Sequence, residues 1–360
     1  MNTSPIFDYL FSTPFSSSHY PVTVIAGPCS AESEEQLNKT ASALVKEGKT
    51  DIFRCGIWKP RTRPNGFEGM GEPALDWLQS IRNTYHLQTC VEVATPKHVE
   101  ACLKKSVDIL WIGARTTSNP FSVQALADAL QGVDIPILIK NPLNPDIHLW
   151  IGALERIYSS GIKKIGMVHR GFAPYGKSSY RNDPCWEVPI ELRRQFPDLV
   201  QICDPSHMGG KPQYLYPISQ YALDLGMEGL MIEVHSDPEK ARTDAFQQIT
   251  PSELTKLLDK LTIHQSTTTH CPKVETLRME IDRLDHHLLE LLAQRMAIVE
   301  TIGECKKKEN TNIYQPSRWK EMLVERLAHA ESLGLDKKFI QTLMEFIHEE
   351  SIRMQNKIYH

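Results

Sequence analysis

The sequence predicts an α/β chain in which a (β/α)8 TIM barrel is followed by a small all-α unit of three helices. Three observations lead there. Eight short apolar runs recur about every thirty residues along the first two-thirds of the chain, amphipathic stretches separate them, and beyond about residue 272 the alternation gives way to helical periodicity alone.

The apolar runs are Val22 to Ala26, Ile52 to Arg54, Leu87 to Val93, Ile109 to Ile112, Ile137 to Ile139, Lys164 to Val168, Val200 to Ile202 and Leu230 to Val234. Between them, Glu34 to Glu47 aligns Leu37, Ala41 and Leu44 on one helical face, and Val123 to Leu130 aligns Val123, Leu126, Ala127 and Leu130. Ser252 to Leu261 is the last such helix. Eight strand-helix units close a barrel whose active site lies at the carboxyl ends of the strands. Those ends read Gly27-Pro28-Cys29-Ser30, Arg54 with Lys59-Pro60-Arg61-Thr62 after it, Glu92, and Gly113-Ala114-Arg115. The later four read Lys140, His169-Arg170-Gly171, Asp204-Pro205-Ser206-His207 and Glu233-Val234-His235.

From His264 to Pro272 the chain is polar, rich in threonine and without period, which is linker composition. Beyond it, Leu277, Ile281, Leu284, Leu288, Leu291, Leu292, Val299 and Ile302 sustain one apolar stripe, and shorter helices follow near Arg318 to Ser332 and Lys337 to Lys357, parted by Gly334. The expected organisation is a lead at 1–20, a barrel at 21–263, a linker at 264–272 and a helical domain at 273–360. So small a helical unit buries little alone, which predicts a homodimer formed through it.

With 360 residues, 41% hydrophobic and 23% charged, the chain is ordinary globular material, and its net charge of -4 offers no general attraction to nucleic acid or an acidic membrane. No basic start leads into an apolar core, and no stretch approaches the roughly 20 apolar residues of a membrane span, so the expected location is the cytoplasm. The eight cysteines are scattered without a CxxC pair, the pattern of packing residues rather than of a disulfide framework or structural zinc site.

Four residues stand out as metal ligands. Cys29, His207, Glu233 and Asp244 offer a thiol, an imidazole and two carboxylates from the first, seventh and eighth strand ends, a mixed set suited to a borderline divalent ion: Mn, Co, Fe or Zn. Arg54, Lys59, Arg115, Lys140 and Arg170 come from the second, fourth, fifth and sixth ends. Five like charges in one cavity are destabilising without an anionic ligand, and a small molecule carrying both a phosphate and a carboxylate would offset them.

On the long helix, Arg295 and Lys306 are eleven residues apart, which puts them on one face about 16 Å apart along the axis. They could hold the two ends of a small dianion. Arg278 lies about 25 Å from Arg295 along the same helix, too far to serve that ligand, but in an antiparallel pair it could reach the site of a second chain. Ser351 and Gln355 share a face of the last helix, where Gln is an odd choice for core.

At this point two resemblances emerge. The barrel portion, roughly Val22 to Leu261, resembles 3-deoxy-D-arabino-heptulosonate 7-phosphate (DAHP) synthase, in the subgroup that also resembles 3-deoxy-octulosonate 8-phosphate synthase. The motifs that carry it are Ala26-Gly27-Pro28-Cys29-Ser30, Lys59-Pro60-Arg61-Thr62, Ile112-Gly113-Ala114-Arg115, Asp204-Pro205-Ser206-His207 and Ile232-Glu233-Val234-His235, with Asp244 following. This resemblance implies condensation of phosphoenolpyruvate with erythrose 4-phosphate and release of phosphate. Cys29, His207, Glu233 and Asp244 would hold the metal. Arg54, Lys59, Arg115, Lys140 and Arg170 would surround phosphoenolpyruvate, with Lys59 catalytic, while Arg61 and Thr62 would contact the sugar phosphate. The octulosonate synthase, the close alternative, has Lys-Ala-Asn-Arg-Ser-Ser where this chain has Lys59-Pro60-Arg61-Thr62, which favours the four-carbon sugar. After Lys140 the chain departs from the family's Gly-containing turn and reads Asn141-Pro142-Leu143-Asn144.

The region from about Val274 to Lys357 is similar to the all-helical chorismate mutases. The resemblance implies chorismate binding by Arg278 of a second chain together with Arg295, Lys306, Arg318, Ser351 and Gln355, with Lys306 and Gln355 donating to the ether oxygen as it gains charge, and no cofactor. Trp319 stands where the family has a Glu that meets the substrate hydroxyl, and Gln315 where an acidic residue is common. The combined reading is a bifunctional enzyme of aromatic amino-acid biosynthesis in which ligand at the mutase restrains the barrel through domain contact. An alternative makes the helical module a dimerising sensor with little turnover; another makes the barrel a sugar-phosphate binder that does no chemistry.

Overall fold

A computed structural model describes residues 22–59, 66–174, 176, 178–264 and 272–359. The expectations for 1–20, Arg61, Thr62 and Cys271 lie outside the described residues. The chain divides into two compact units, Met1–Ser266 and Thr267–His360.

In the first unit eight parallel strands close a barrel in sequence order: Thr23–Gly27 (β1), Ile52–Cys55 (β2), Gln88–Val93 (β3), Ile109–Ile112 (β4), Ile137–Lys140 (β5), Ile165–His169 (β6), Val200–Cys203 (β7) and Gly229–Glu233 (β8). Closure comes from β1 pairing with β8, which sets Gly27 beside Glu233. Parallel strands covered by helices are buried on both faces, hence the unbroken apolar runs. Alternate residues divide between two cores. Ile25, Ile52, Trp111, Leu138, Ile202 and Met231 fill the barrel interior, while Val24, Ala26, Phe53 and Leu110 pack outward against helices.

The outer helices are Glu34–Glu47 (α1), Pro73–Tyr85 (α2), Pro96–Lys104 (α3), Ala114–Thr117 (α4), Pro120–Ala129 (α5), Ile147–Ser159 (α6), Glu187–Gln195 (α7), Pro205–Gly209 (α8), Leu215–Asp224 (α9) and Pro251–Lys260 (α10). Local signals fix their ends. Ser33 caps α1 by accepting from the Gln36 amide, and Thr250 and Glu253 form a reciprocal capping box on α10.

Two details differ from the sequence reading. Where an apolar run ends, the strand ladder continues into polar residues, so Lys140 and His169 are strand residues rather than loop residues. The short helices α4 and α8, which have no apolar period to announce them, occupy the ends of β4 and β7.

The second unit is three helices: Pro272–Lys308 (α11), Pro316–Ser332 (α12) and Lys337–Tyr359 (α13). α13 packs along α11 and touches α12. α11 and α13 pack tightly at Gly303, where a Cβ would crowd Ile358 and Gln355. Val299 and Ala330 are buried, but Leu277, Ile281, Leu284 and Leu288 of the long stripe each remain at least 50% exposed. No helix among the described residues is long and apolar enough to cross a membrane.

Candidate functional site

Glu233 closes β8, and a loop from it brings Asp244 back toward β1. Cys29 follows the end of β1. Donor atoms of Cys29, Glu233 and Asp244 all lie within 4.8 Å of one another, and the Cys29 thiol reaches Asp244 Oδ2 at 3.6 Å. His207 joins from α8, its Nε2 lying 3.6 Å from Glu233 Oε1. Bonds of about 2.0–2.3 Å to a shared ion separate its ligands by about 3.5 Å, so Cys29, Glu233 and Asp244 are spaced to share a divalent cation, while His207 lies outside that mutual cluster and approaches it through Glu233.

Side chains around the four set their protonation. Asp204, the cap of α8, accepts from the His207 amide at 3.0 Å and contacts Nδ1 at 2.8 Å, turning Nε2 toward Glu233. Burial holds the His207 imidazole below its usual range, in the neutral form that ligates metals. Burial would raise Glu233, but His207 and Arg54 outweigh it and hold the carboxyl near 2. Burial, reinforced by Glu233, pushes the Cys29 thiol up to about 12. The thiol therefore needs a cation to ionise at neutral pH.

Above this cluster opens a cavity of about 360 Å³ at the carboxyl ends of the strands, lined by Lys59, Arg115, Lys140 and Arg170 among others. Arg54 lies beneath it, fully buried, with Nη1 3.1 Å from Glu233 Oε1 and its guanidinium 4.8 Å from the Trp111 ring. Lys140 Nζ sits 5.7 Å from the same ring and 2.6 Å from Asp204 Oδ2. Burial would raise Asp204, yet His207 and Lys140 outweigh it and hold its carboxyl well below the usual range. Arg170 is different, because its hydrogen-bond partners are neutral: Asn182 Oδ1 at 2.7 Å and the Gly171 carbonyl at 3.3 Å. Burial lowers Arg170 to about 10. An anion arriving in the cavity would meet a desolvated guanidinium with no carboxylate bonded to it among the described residues.

Several contributors escaped the sequence reading. Arg181 lines the cavity and pairs with Asp244 at 3.2 Å and with Gln247. Gln247, fully buried, donates to Glu233 Oε2 at 2.6 Å. Arg181 stands in the loop after β6 and Gln247 ends a single 3-10 turn, Ala245–Gln247, in the segment after β8, neither long enough to show a period. Asn141, where the turn departs from the expected pattern, accepts from the Arg170 amide at 2.7 Å and donates to the Gly171 carbonyl at 2.9 Å. The departure thus fastens the β5 end to the β6 end.

In the helical unit, Arg295 Nη1 donates to Ser351 Oγ at 2.7 Å, which joins α11 to α13. Gln355, one turn beyond Ser351, is buried with Oε1 lacking a partner among the described residues. Lys306 Nζ donates to the Ile313 carbonyl at 2.6 Å. Of the other expected members, Arg318 is exposed on the first turn of α12, and Arg278 is exposed and pairs with Glu275 of its own helix at 3.4 Å.

Residues 15–269 match the model of the DAHP synthetase I family, and residues 277–356 match that of chorismate mutase type II. A phospho-2-dehydro-3-deoxyheptonate aldolase of Thermotoga maritima is 34% identical over 227 residues, which are 63% of this chain and 65% of that protein. This chain thus spans somewhat less than two-thirds of that relative's length. A 2-dehydro-3-deoxyphosphooctonate aldolase of Desulfotalea psychrophila is 26% identical over 261 residues, covering 68% of this chain and 90% of its own. The crystal structure of a Thermotoga maritima phospho-2-dehydro-3-deoxyheptonate aldolase superposes with a TM-score of 0.60 at 30% identity, covering 66% of this chain and 67% of that one. With the parallel barrel and the donor cluster at its mouth, these matches lead to one assignment: the chain belongs to the DAHP synthetase I family and carries a chorismate mutase type II region beyond its barrel.

Proposed function

We propose that this chain is a bifunctional enzyme. Its barrel, about 21–263, condenses phosphoenolpyruvate with erythrose 4-phosphate and one water, which adds to the former enol carbon as phosphate departs, to give DAHP and phosphate; its helical module, about 273–360, rearranges chorismate to prephenate; residues 264–272 join them. One observation carries the first half: donors of Cys29, Glu233 and Asp244, with His207 beside them, meet at a cavity ringed by cations.

A divalent ion held by those four residues would act as a Lewis acid on the aldehyde oxygen, where negative charge builds as the new carbon–carbon bond forms. Arg115, Arg170, Lys140 and Lys59 take the phosphate and carboxylate of phosphoenolpyruvate, and Arg54 adds its charge from below. Asp204 fixes the Lys140 ammonium by direct pairing, so that charge needs no reorganisation during reaction. Arg61 and Thr62 meet the sugar phosphate. The Lys59-Pro60-Arg61-Thr62 stretch and the higher identity to the heptonate aldolase both favour the four-carbon sugar over the five-carbon one. These charged phosphate esters are retained in the cytoplasm, where we place the reaction.

For the helical module, Arg295, Lys306, Ser351 and Gln355 on facing helices support chorismate binding. Arg318 and Arg278 of a second copy complete the proposed set. The exposed stripe from Leu277 to Leu288 supports a homodimer, since apolar faces of that length are normally covered. The two sites stand at the entry and the branch of one pathway, which supports feedback in which chorismate or prephenate on the module restrains the barrel.

A second reading, a sensor module with little turnover, is favoured by Trp319 and Gln315, which stand where the resemblance implies acidic residues. The test is an assay of the purified full chain with phosphoenolpyruvate and each sugar phosphate, with and without chelator, and separately with chorismate. Chelator should abolish phosphoenolpyruvate consumption and leave chorismate loss unchanged. Preference for the five-carbon sugar, or a chelator-resistant barrel, would overturn the first assignment; absence of chorismate loss would leave the sensor reading. Prephenate without effect on barrel kinetics would remove the feedback.

A further inference from the structure

One face of α13 carries His348, Ser351 and Gln355 at helical spacing; Ser351 and Gln355 meet α11, and His348 meets Trp319 of α12. Ser351 and Gln355 belong to the proposed chorismate site; His348 is assigned nothing by that reading. Its ring lies flat on the indole of Trp319, with centroids 3.9 Å apart and planes 10° apart, and Tyr314 flanks it at 6.0 Å. Its Nε2 is buried and has no hydrogen-bond partner among the described residues. Gln355 Oε1 and Arg326 Nη1, in the same unit, share that condition.

Buried polar atoms without partners are rare in folded proteins, because each forfeits its bonds to water without replacement. His348 Nε2 and Gln355 Oε1 stand on one face of α13, where a ligand meeting both accounts for them. Burial, then Arg295 and Lys306, depress protonation of the His348 imidazole, which places the ring within the field of two cations of the site. A neutral group there suits an uncharged part of the ligand, since in the chorismate reading Arg295 serves a carboxylate and Lys306 the ether oxygen.

We propose that His348 is a ligand-positioning residue of the helical site, its Nε2 hydrogen-bonding the hydroxyl of a small hydroxylated dicarboxylate while Trp319 holds the plane of the ring. The inference rests on the chorismate reading of this site and names the group that meets the hydroxyl. Trp319 then stands where it does as the platform for that imidazole. The stack fixes the plane of the ring, and losing the platform loosens the hydrogen bond without removing it.

The experiment uses the full chain, chorismate turnover and prephenate binding followed by tryptophan emission. His348→Phe keeps an aromatic ring for the stack and removes the nitrogen; it should raise the chorismate KM about tenfold, equivalent to about 1.4 kcal/mol, with kcat within about twofold. His348→Gln places an amide near the former Nε2 and should recover most of the loss, a rescue that a merely structural ring would not show. Trp319→Ala should raise KM less, and should add little to His348→Phe because both act through one contact. The emission change on adding prephenate should vanish in Trp319→Phe. An unchanged KM in His348→Phe, or a Gln variant as impaired as the Phe variant, overturns the assignment of His348 alone. An unaltered chain that neither turns over chorismate nor binds prephenate overturns the chorismate reading and this inference with it.

Discussion

Lys140 and Asp204 form an ion pair at the junction of β5 and the β7 end, Nζ to Oδ2 2.6 Å, with side chains 6% and 0% exposed. Asp204 also orients His207, so one carboxylate links a cation of the cavity to a candidate metal ligand. Removing one partner of a buried pair leaves the other charge uncompensated, at a cost of about 3–5 kcal/mol. Asp204→Asn should therefore lower the melting temperature of the barrel by on the order of 10 °C and abolish phosphoenolpyruvate consumption. The pair Lys140→Met with Asp204→Leu should recover much of the stability and none of the activity. Thermal unfolding of the three proteins checks this, and an Asp204→Asn barrel as stable as the parent would refute it.

The neutral group behind Glu233 yields a separate expectation. Gln247 is 2% exposed and donates to Glu233 Oε2 at 2.6 Å. Gln247→Leu removes that donor, and the acceptor that Gln247 offers Arg181 beside Asp244, at similar volume without changing charge, so any effect on a bound cation comes through the positions of Glu233 and Asp244. Hydrogen bonds to charged groups contribute about 1.5–3 kcal/mol, and loss of such an outer partner weakens metal binding about 10–100-fold. Competition with a chelating dye should show that weakening, while prephenate binding to the helical module stays as in the parent.

How much of this was readable beforehand depends on what writes itself into sequence. The strands were legible because burial on both faces makes each an apolar run, and Cys29, Glu233 and Lys140 were legible because they stand where such runs end. His207 was visible as a residue type, but its orientation depends on α8, a five-residue helix below the length at which periodicity registers. Arg181 and Gln247 reach the site from loops whose course only the folded barrel defines. In the helical unit, charge at helical spacing marked Arg295 and Lys306. His348 carried no mark, because its significance lies in Trp319, twenty-nine residues away on another helix.

Gly27 offers a steric test of the barrel's closure. It ends β1 at φ 152°, and a Cβ there would collide with the backbone carbonyl of Arg54. Backbone cannot yield as a side-chain tip can, so Gly27→Ala must push β2 away from β1 or tilt the β1 end. Either movement displaces Arg54 and Cys29 together. The expected outcome is a destabilisation of about 1–3 kcal/mol with loss of cation affinity, measured by denaturant unfolding and metal titration. Gly48, at φ 68° with open space around it, should cost only its left-handed strain when changed to Ala and leave cation affinity intact.

His169 supplies a pH dependence that lies apart from the metal ligands. Its ring, the last of β6, is enclosed by Trp150, Phe172 and Trp186 at centroid distances of 6.3, 5.7 and 5.1 Å. Burial drives the imidazole from 6.5 to about 3. The unfolded chain therefore binds a proton that the folded chain refuses between these values, and stability falls as pH falls through that window. Above about pH 6.5 the contribution is complete; by pH 4 the loss from this group alone is about 3 kcal/mol. His169→Phe removes the titrating ring and should flatten the dependence of barrel stability on pH between 6.5 and 4, whatever it does to stability at neutral pH. Urea unfolding at several pH values in both proteins gives the two slopes, and parallel slopes would show that the imidazole accepts its proton without opening the barrel.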